Sequence, residues 1–456
     1  MKKKNNIIII FFLTLFITIL IILILVYLIN IIVKNKIKYI YNKCNQIINI
    51  DKKKFINDVC KSIPFYKKYN IRSLPIVTKK YINNNQKLFL NENIEKIHSS
   101  VNSANNAWTE KKNIVNDISY YKFIIYLYGL FNNKAIAHVS GGSSGNYFYQ
   151  WYTIDEYEKG LYGFFKSWIN IGWKYNDRLL LYYFHGSNSI KLLNKINFIQ
   201  NICSVCPNLD ENGDISEKSL YEFIYYINNF KPVLIVSFPN IIFRISQLIY
   251  MKNIELKHIP KCMDLSADFL FTCQYKFICS IFKNCDIRLS YGTIEFGQIA
   301  QQIPNRMFDY IVFHDIVDVE NDENNNLIIT NYLFTTQPII RYLTDDKGTI
   351  VNENGKIIIH NLIGKSNNMY DYIWLDNIIN KCTYSIINLR INDHDKILII
   401  TILYENNAND IKKYFSNYFY KYIIETETCS KKKCDTNDRY DRKNTPIMNE
   451  FFYHKK

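Results

Sequence analysis

Asp286-Ile287-Arg288-Leu289-Ser290-Tyr291-Gly292-Thr293-Ile294-Glu295-Phe296-Gly297 runs from an alternating strand straight into a turn that carries two glycines and a carboxylate. Ligands in open α/β sheets settle beyond the carboxyl ends of strands, and a carboxylate placed there can hold Mg²⁺ bridging nucleotide phosphates. Glu295 is that carboxylate. The sequence before it repeats one pattern, helix then strand. Thr153 and Glu156 make a capping box that opens an amphipathic stretch, and a strand is expected from Leu179 to Tyr183. A helix from Ser216 to Asn229 leads through Lys231-Pro232 to the apolar run Val233 to Ser237, and a helix from about Ser266 to Phe282 leads to the strand at Asp286. Such repetition predicts an α/β fold with a largely parallel sheet.

Beyond Asp309 the pattern changes to strands joined by Asn/Asp-rich turns: Tyr310 to His314, Leu327 to Asn331, Thr349 to Val351 and Lys356 to His360. This predicts a more antiparallel subdomain. After Gly364 come a strand from Lys396 to Tyr404, a helix near Asp410 to Tyr422, and a polar tail. The expected organisation is a transmembrane anchor over 1–33, a helical juxtamembrane stalk over 34–73, a main domain over 74–363 with its β-rich part at about 309–363, and a small C-terminal domain with a tail over 364–456.

The anchor is read from the stretch Ile7 to Val33, which has no charged residue and as a helix would span about 40 Å, enough to cross a bilayer with tilt. No small-residue cleavage site follows it, which excludes the usual secretory signal. Lysines flank both ends almost evenly, so orientation rests on the rest of the chain. At 456 residues and 48% hydrophobic, the chain is too apolar for a disordered tail and long enough for a sizeable core. Its net charge of +15 accompanies enrichment in Lys, Asn, Ile, Tyr and Phe, all of which have A/T-only codons. The charge therefore follows from base composition, and no specific nucleic-acid partner is expected. The 11 cysteines form no regular framework and suit reduced thiols in a cytosol-facing domain. Cys203 and Cys206 are spaced for zinc but lack a second pair nearby, so buried thiols are the simpler reading.

Glycine is scarce, 14 in all, and three of these fall in Ser140-Gly141-Gly142-Ser143-Ser144-Gly145-Asn146. The small hydroxyls and unhindered amides of such a run can wrap the oxygens of a phosphate chain, although a plain flexible turn would look the same. Further on, Gln337-Pro338-Ile339-Ile340-Arg341-Tyr342-Leu343-Thr344-Asp345-Asp346 sets an arginine and paired aspartates at the end of an apolar stretch. An aspartate can accept hydrogen bonds from ribose hydroxyls.

In this order, the Ser/Gly loop, Tyr-Gly-Thr-Ile-Glu, Pro-Ile-Ile-Arg-Tyr-Leu-Thr-Asp-Asp and Ile363-Gly364-Lys365 resemble the adenylate-forming superfamily, specifically its phenylacetate–coenzyme A ligase-like branch, which includes capsule-biosynthesis adenylating proteins. The resemblance covers roughly residues 70 to 380. It implies an adenylate-forming ligase fold, with a large α/β domain, a β-rich subdomain and a small C-terminal lid. The implied activity is ATP-dependent conversion of a small carboxylic acid to an acyl-adenylate, followed by transfer to coenzyme A or another thiol or amine. On that resemblance Ser140, Gly141, Gly142, Ser143, Ser144 and Gly145 cradle phosphates, and Tyr291, Gly292 and Thr293 lie beside the nucleotide. Glu295 holds Mg²⁺, Asp346 holds the ribose, and Arg341 and Lys365 join Glu295 as catalytic residues. The chain departs from the family at Ile294 (usually Thr), Asp345 (usually Gly) and Lys365 (usually Arg). The C-terminal stretch Asn444 to Asn449 also lacks the expected Gly-Lys. These departures raise a rival reading, a membrane-anchored nucleotide-binding pseudoenzyme.

Overall fold

In the computed structural model the described residues are 37–91, 136–139, 148–182, 201–208, 215–293, 295–364, 372–383, 385–392, 395–403 and 407–429, with 14–21 and single positions up to 35. The strands in chain order are β1 Val77–Thr78, β2 Ile136–Val139, β3 Tyr149–Tyr152, β4 Leu179–Tyr182, β5 Ile202–Val205, β6 Leu234–Ser237, β7 Cys262–Ser266, β8 Asp286–Thr293 and β9 Gly297–Ile303. They continue with β10 Arg306–Val312, β11 Val317–Asn321, β12 Asn326–Asn331, β13 Tyr342–Glu353, β14 Lys356–Ile363, β15 Ile386–Asn392, β16 Ile397–Ile402 and β17 Ile423–Thr428. The helices used below are α1 Lys52–Ser62, α2 Lys79–Asn84, α3 Ile154–Gly160, α4 Tyr162–Asn170, α5 Glu217–Tyr225, α6 Pro239–Met251, α7 Thr272–Ile281, α8 Tyr372–Lys381 and α9 Ala408–Ser416.

One large sheet runs β11-β12-β13-β14-β10-β9-β8-β7-β6-β4-β5, with β1 pairing β13. From β5 through β8 every pairing is parallel. From β8 through β14 to β11 every pairing is antiparallel. The direction changes at β8, earlier than the change expected beyond Asp309, because β9 and β10 already pair antiparallel. The parallel strands are apolar without alternation, as in Leu234-Ile235-Val236, because both of their faces are buried. The capping box at Thr153 and Glu156 forms as expected and opens α3. Pro239 begins α6, where a missing N–H costs nothing.

Two expectations are corrected. The segment read as a juxtamembrane stalk is not separate from the body: Ile40, Cys44, Ile48, Phe55, Val59, Ile63 and Tyr66 all sit in the main core. Its lysines face outward from amphipathic turns, and that charge was what resembled a stalk. The helix expected from Ser266 begins instead at Thr272, because Cys262–Ser266 is strand β7. As for the anchor, no helix among the described residues is long and apolar enough to cross a membrane. Most of Ile7 to Val33 lies outside those residues.

A second, smaller sheet, β15-β16-β17, packs with α8 and α9 around its own core of Leu375, Ile379, Leu398, Ile400, Phe415 and Phe419. That core also takes in Phe271 and Cys273, from the start of α7 in the large body. Asp376 of α8 accepts hydrogen bonds from the Thr272 backbone N–H and hydroxyl, both at 2.7 Å, and so supplies the N-cap that α7 lacks in its own sequence. Gln274 Nε2 donates to Asn388 Oδ1 at 2.9 Å, and the rings of Phe269 and Tyr372 stack at 4.8 Å.

Candidate active site

The carboxyl end of β8 carries Tyr291, Gly292 and Thr293 into a tight turn that returns as β9. Gly292 is required there: a Cβ would lie 2.5 Å from the Gly297 carbonyl oxygen and 2.8 Å from the Gln298 Cα. Beside this turn stand two tyrosine–carboxylate pairs. Tyr291 Oη donates to Asp346 Oδ2 at 2.6 Å, and Tyr342 Oη donates to Glu295 Oε1 at 3.3 Å. Tyr342 and Asp346 both belong to β13, and Glu295 and Asp346 both bear on the two tyrosines, which brings the carboxylates to one place. Burial, reinforced by the neighbouring carboxylates, pushes both tyrosine hydroxyls well above their usual range. Both remain donors. Glu295 is 7% exposed and Asp346 9%, so each is nearly enclosed yet still reachable. Gly364 adjoins them: a Cβ on it would lie 3.8 Å from Asp346 Oδ1.

A buried polar layer fixes the turn from below. Asp264 on β7 accepts from the Ser290 hydroxyl, from Trp168 Nε1 at 2.9 Å and from Gln298 Nε2 at 3.3 Å. Full burial pushes its carboxyl up to about 6, against the pull of those three donors. Gln298 also donates to Ser167 Oγ at 2.5 Å, and Gln301 Nε2 donates to the Ser167 carbonyl at 3.0 Å. Both contacts tie β9 to α4. Gly163 on that helix lies so close that a Cβ would fall 1.8 Å from the Gln298 carbonyl oxygen.

The expected phosphate-cradling residues Ser140, Gly141, Gly142, Ser143, Ser144 and Gly145 lie outside the described residues, as does Lys365. The strands that flank the loop are described, and β2 pairs with β3. Phe148, just after the loop, brings its ring to 6.2 Å from Tyr342. Gln150 Nε2 donates to the Gln337 carbonyl at 2.9 Å, and the Trp151 N–H donates to Gln337 Oε1 at 2.7 Å. The strand that follows the loop is thus joined directly to the Gln337 motif.

Arg341 does not join Glu295. Its backbone is left-handed (φ 54°), and its guanidinium turns to Glu320, at 3.3 Å, and to the Leu74 carbonyl, at 2.8 Å. An arginine engaged there stabilises the approach of the 74–77 segment, and the expectation that it is catalytic is corrected accordingly. Sequence reading missed Tyr342, which stands in the same motif as Asp346. It also missed Asp264, whose sequence neighbourhood carries no comparable signal. Among the described residues no three His, Cys, Asp or Glu cluster to hold a resident metal. A single carboxylate, Glu295, fits an ion that arrives with phosphate oxygens of its own.

No family model matches the chain. The chain is 26% identical over 158 residues to protein CapK of Staphylococcus aureus, a match that spans 33% of this chain and 35% of CapK. Its fold is similar to that of 2-hydroxyisobutyryl-CoA ligase in the postadenylation state, in complexes with R3-HIB-AMP and with 2-HIB-AMP. In each case the TM-score is 0.54 at 12% identity, and 87% of this chain and 86% of the ligase are covered. In motif order and in architecture, the chain is built on the fold of the adenylate-forming acid ligases.

Proposed function

We propose that this protein activates a small carboxylic acid with ATP to give an acyl-adenylate. The convergence of Glu295 and Asp346 beside the Tyr291-Gly292 turn carries this reading. In the reaction, a substrate carboxylate oxygen attacks the α-phosphorus of ATP, the bond to the bridging oxygen breaks, and pyrophosphate leaves. A thiol, that of coenzyme A or of another acceptor, or an amine then attacks the acyl carbon and displaces AMP. Asp346, with Tyr291 holding its Oδ2 in place, accepts from the ribose hydroxyls. Glu295, oriented by Tyr342, would hold Mg²⁺, whose charge offsets that developing on the phosphates. The Ser140 to Gly145 loop is assigned to the phosphates, and Lys365 to the adenylate, on the family resemblance. Physically, the work asked of the protein is positioning and neutralisation of charge.

A setting in surface-glycan or lipid modification rests on the resemblance of the motifs to capsule-biosynthesis adenylating proteins. The uncharged stretch from Ile7 to Val33 supports attachment to a membrane by a single N-terminal helix, with the ATP-using part in the cytosol. The experiment is ATP–pyrophosphate exchange with the full chain against aryl, fatty and amino acids. Exchange with one class of acid that disappears in Glu295→Ala supports adenylation. ATP binding without exchange for any acid would favour the pseudoenzyme reading, which draws on the missing Gly-Lys near Asn444.

A further inference from the structure

Arg341 and Tyr342 turn to opposite sides of the chain, and on the Arg341 side lies a cavity of about 590 Å³. That volume is in the range of small-molecule sites, roughly 300–1,000 Å³. Its walls come from α1, the 71–74 segment and strands β10 to β14. The lining is evenly divided between polar and apolar surface: Ile56, Val317, Ile350 and Ile357 form an aliphatic part, and charged side chains of both signs line the rest.

The charges around the cavity are unevenly satisfied. Arg341 is matched by Glu320, and Asp318 is matched by Lys52 and by the Tyr332 hydroxyl, which donates to it at 2.6 Å. Arg72 and His314 also line the cavity, and among the described residues neither the guanidinium of the one nor the ring of the other has an ionic or hydrogen-bonding partner. With every acidic group of the lining already engaged, the positive charge left over belongs to Arg72, over an aliphatic floor. A guanidinium in that position pairs with a carboxylate through two parallel hydrogen bonds.

We infer that this cavity binds an aliphatic carboxylate, with its hydrocarbon chain on the Ile56, Val317 and Ile350 floor and its head group on Arg72. The inference does not depend on the adenylation reading. It uses none of the residues assigned to ATP. Two of its walls, α1 and the 71–74 segment, belong to the part of the chain that follows the N-terminal apolar stretch.

The test is calorimetric titration of the full chain with octanoate, and with octylammonium as a probe of the same length and opposite charge. Octanoate should bind, octylammonium should not, and Arg72→Ala should weaken octanoate at least tenfold. Ile350→Trp, which fills the floor, should abolish binding, while Glu295→Ala should leave it unchanged. Arg72 is exposed, so its replacement leaves the fold intact and keeps the test decisive even if Ile350→Trp unfolds. Equal binding of both probes, no octanoate binding at all, or an unaltered affinity in Arg72→Ala would overturn the inference. Loss of binding in Glu295→Ala would move the site to the Glu295 region and overturn it as well.

Discussion

Asp264 is ionised only with difficulty, and that has a measurable consequence. Its folded carboxyl titrates at about 6, whereas an unfolded aspartate titrates near 3.9. Between about pH 4 and pH 6 the folded chain therefore retains a proton that the unfolded chain has lost, and stability falls as pH rises through this window. Asp264→Asn should remove that slope while keeping the fold, since the Ser290 hydroxyl can turn from donating to accepting. Denaturant midpoints at pH 4.5 and pH 7 check this, and an unchanged slope in the variant would assign the titration to another group. Tyr291→Phe removes the donor that orients Asp346. On the adenylation reading it should raise the KM for ATP about three- to tenfold with a smaller change in kcat, as expected for one hydrogen bond to a charged group. Glu295, Asp346 and the Tyr-Gly turn were legible in the sequence because scarce glycines and paired carboxylates are conspicuous. Asp264 was not, because a buried carboxylate is recognisable only by its partners, and Trp168, Ser290 and Gln298 come from three different elements.

At the scale of elements, the parallel strands could be read because burial on both faces leaves continuous apolar runs such as Leu179-Leu180-Leu181. Strands β7 and β9 escaped for the opposite reason. Gln298, Gln301 and Gln302 look like surface residues, yet all three are buried, with their amide N–H groups donating to α4, to Asp264 and to Met307 and the Gln302 oxygen accepting from the β8 backbone. Tertiary hydrogen bonds override local polarity there. The close contact of α4 with β9 makes Gly163 the position least tolerant of a side chain. Gly163→Ala must push the helix off the strand and should lower stability by about 1–3 kcal/mol or more. Thermal unfolding of the full chain measures this, and a midpoint equal to that of the parent would mean that α4 can slide without cost.

For the whole molecule, the described part of 34–73 belongs to the body, so a soluble fragment begun at Lys52 would lose Ile40, Cys44 and Ile48 from the core. A fragment beginning near residue 37 should be the more stable of the two by thermal unfolding. The small C-terminal unit is likewise tied to the body. Ending the chain at Gly364 uncaps α7 and exposes Phe271, which is 1% accessible and whose burial contributes about 1.5–3 kcal/mol. The truncated chain should bind a hydrophobic dye and melt at lower temperature, and Asp376→Ala should reproduce the loss of the cap without that exposure.

The cap on α7 also bears on how the protein is made. Thr272 leaves the ribosome 104 residues before Asp376, the group that satisfies its amide. At ordinary rates of synthesis this is a delay of roughly 5–20 s. Throughout that interval the nascent α/β body carries an unfinished helix and an uncovered phenylalanine at the edge where its last portion will dock, which makes this patch the natural target of any chaperone that meets the growing chain.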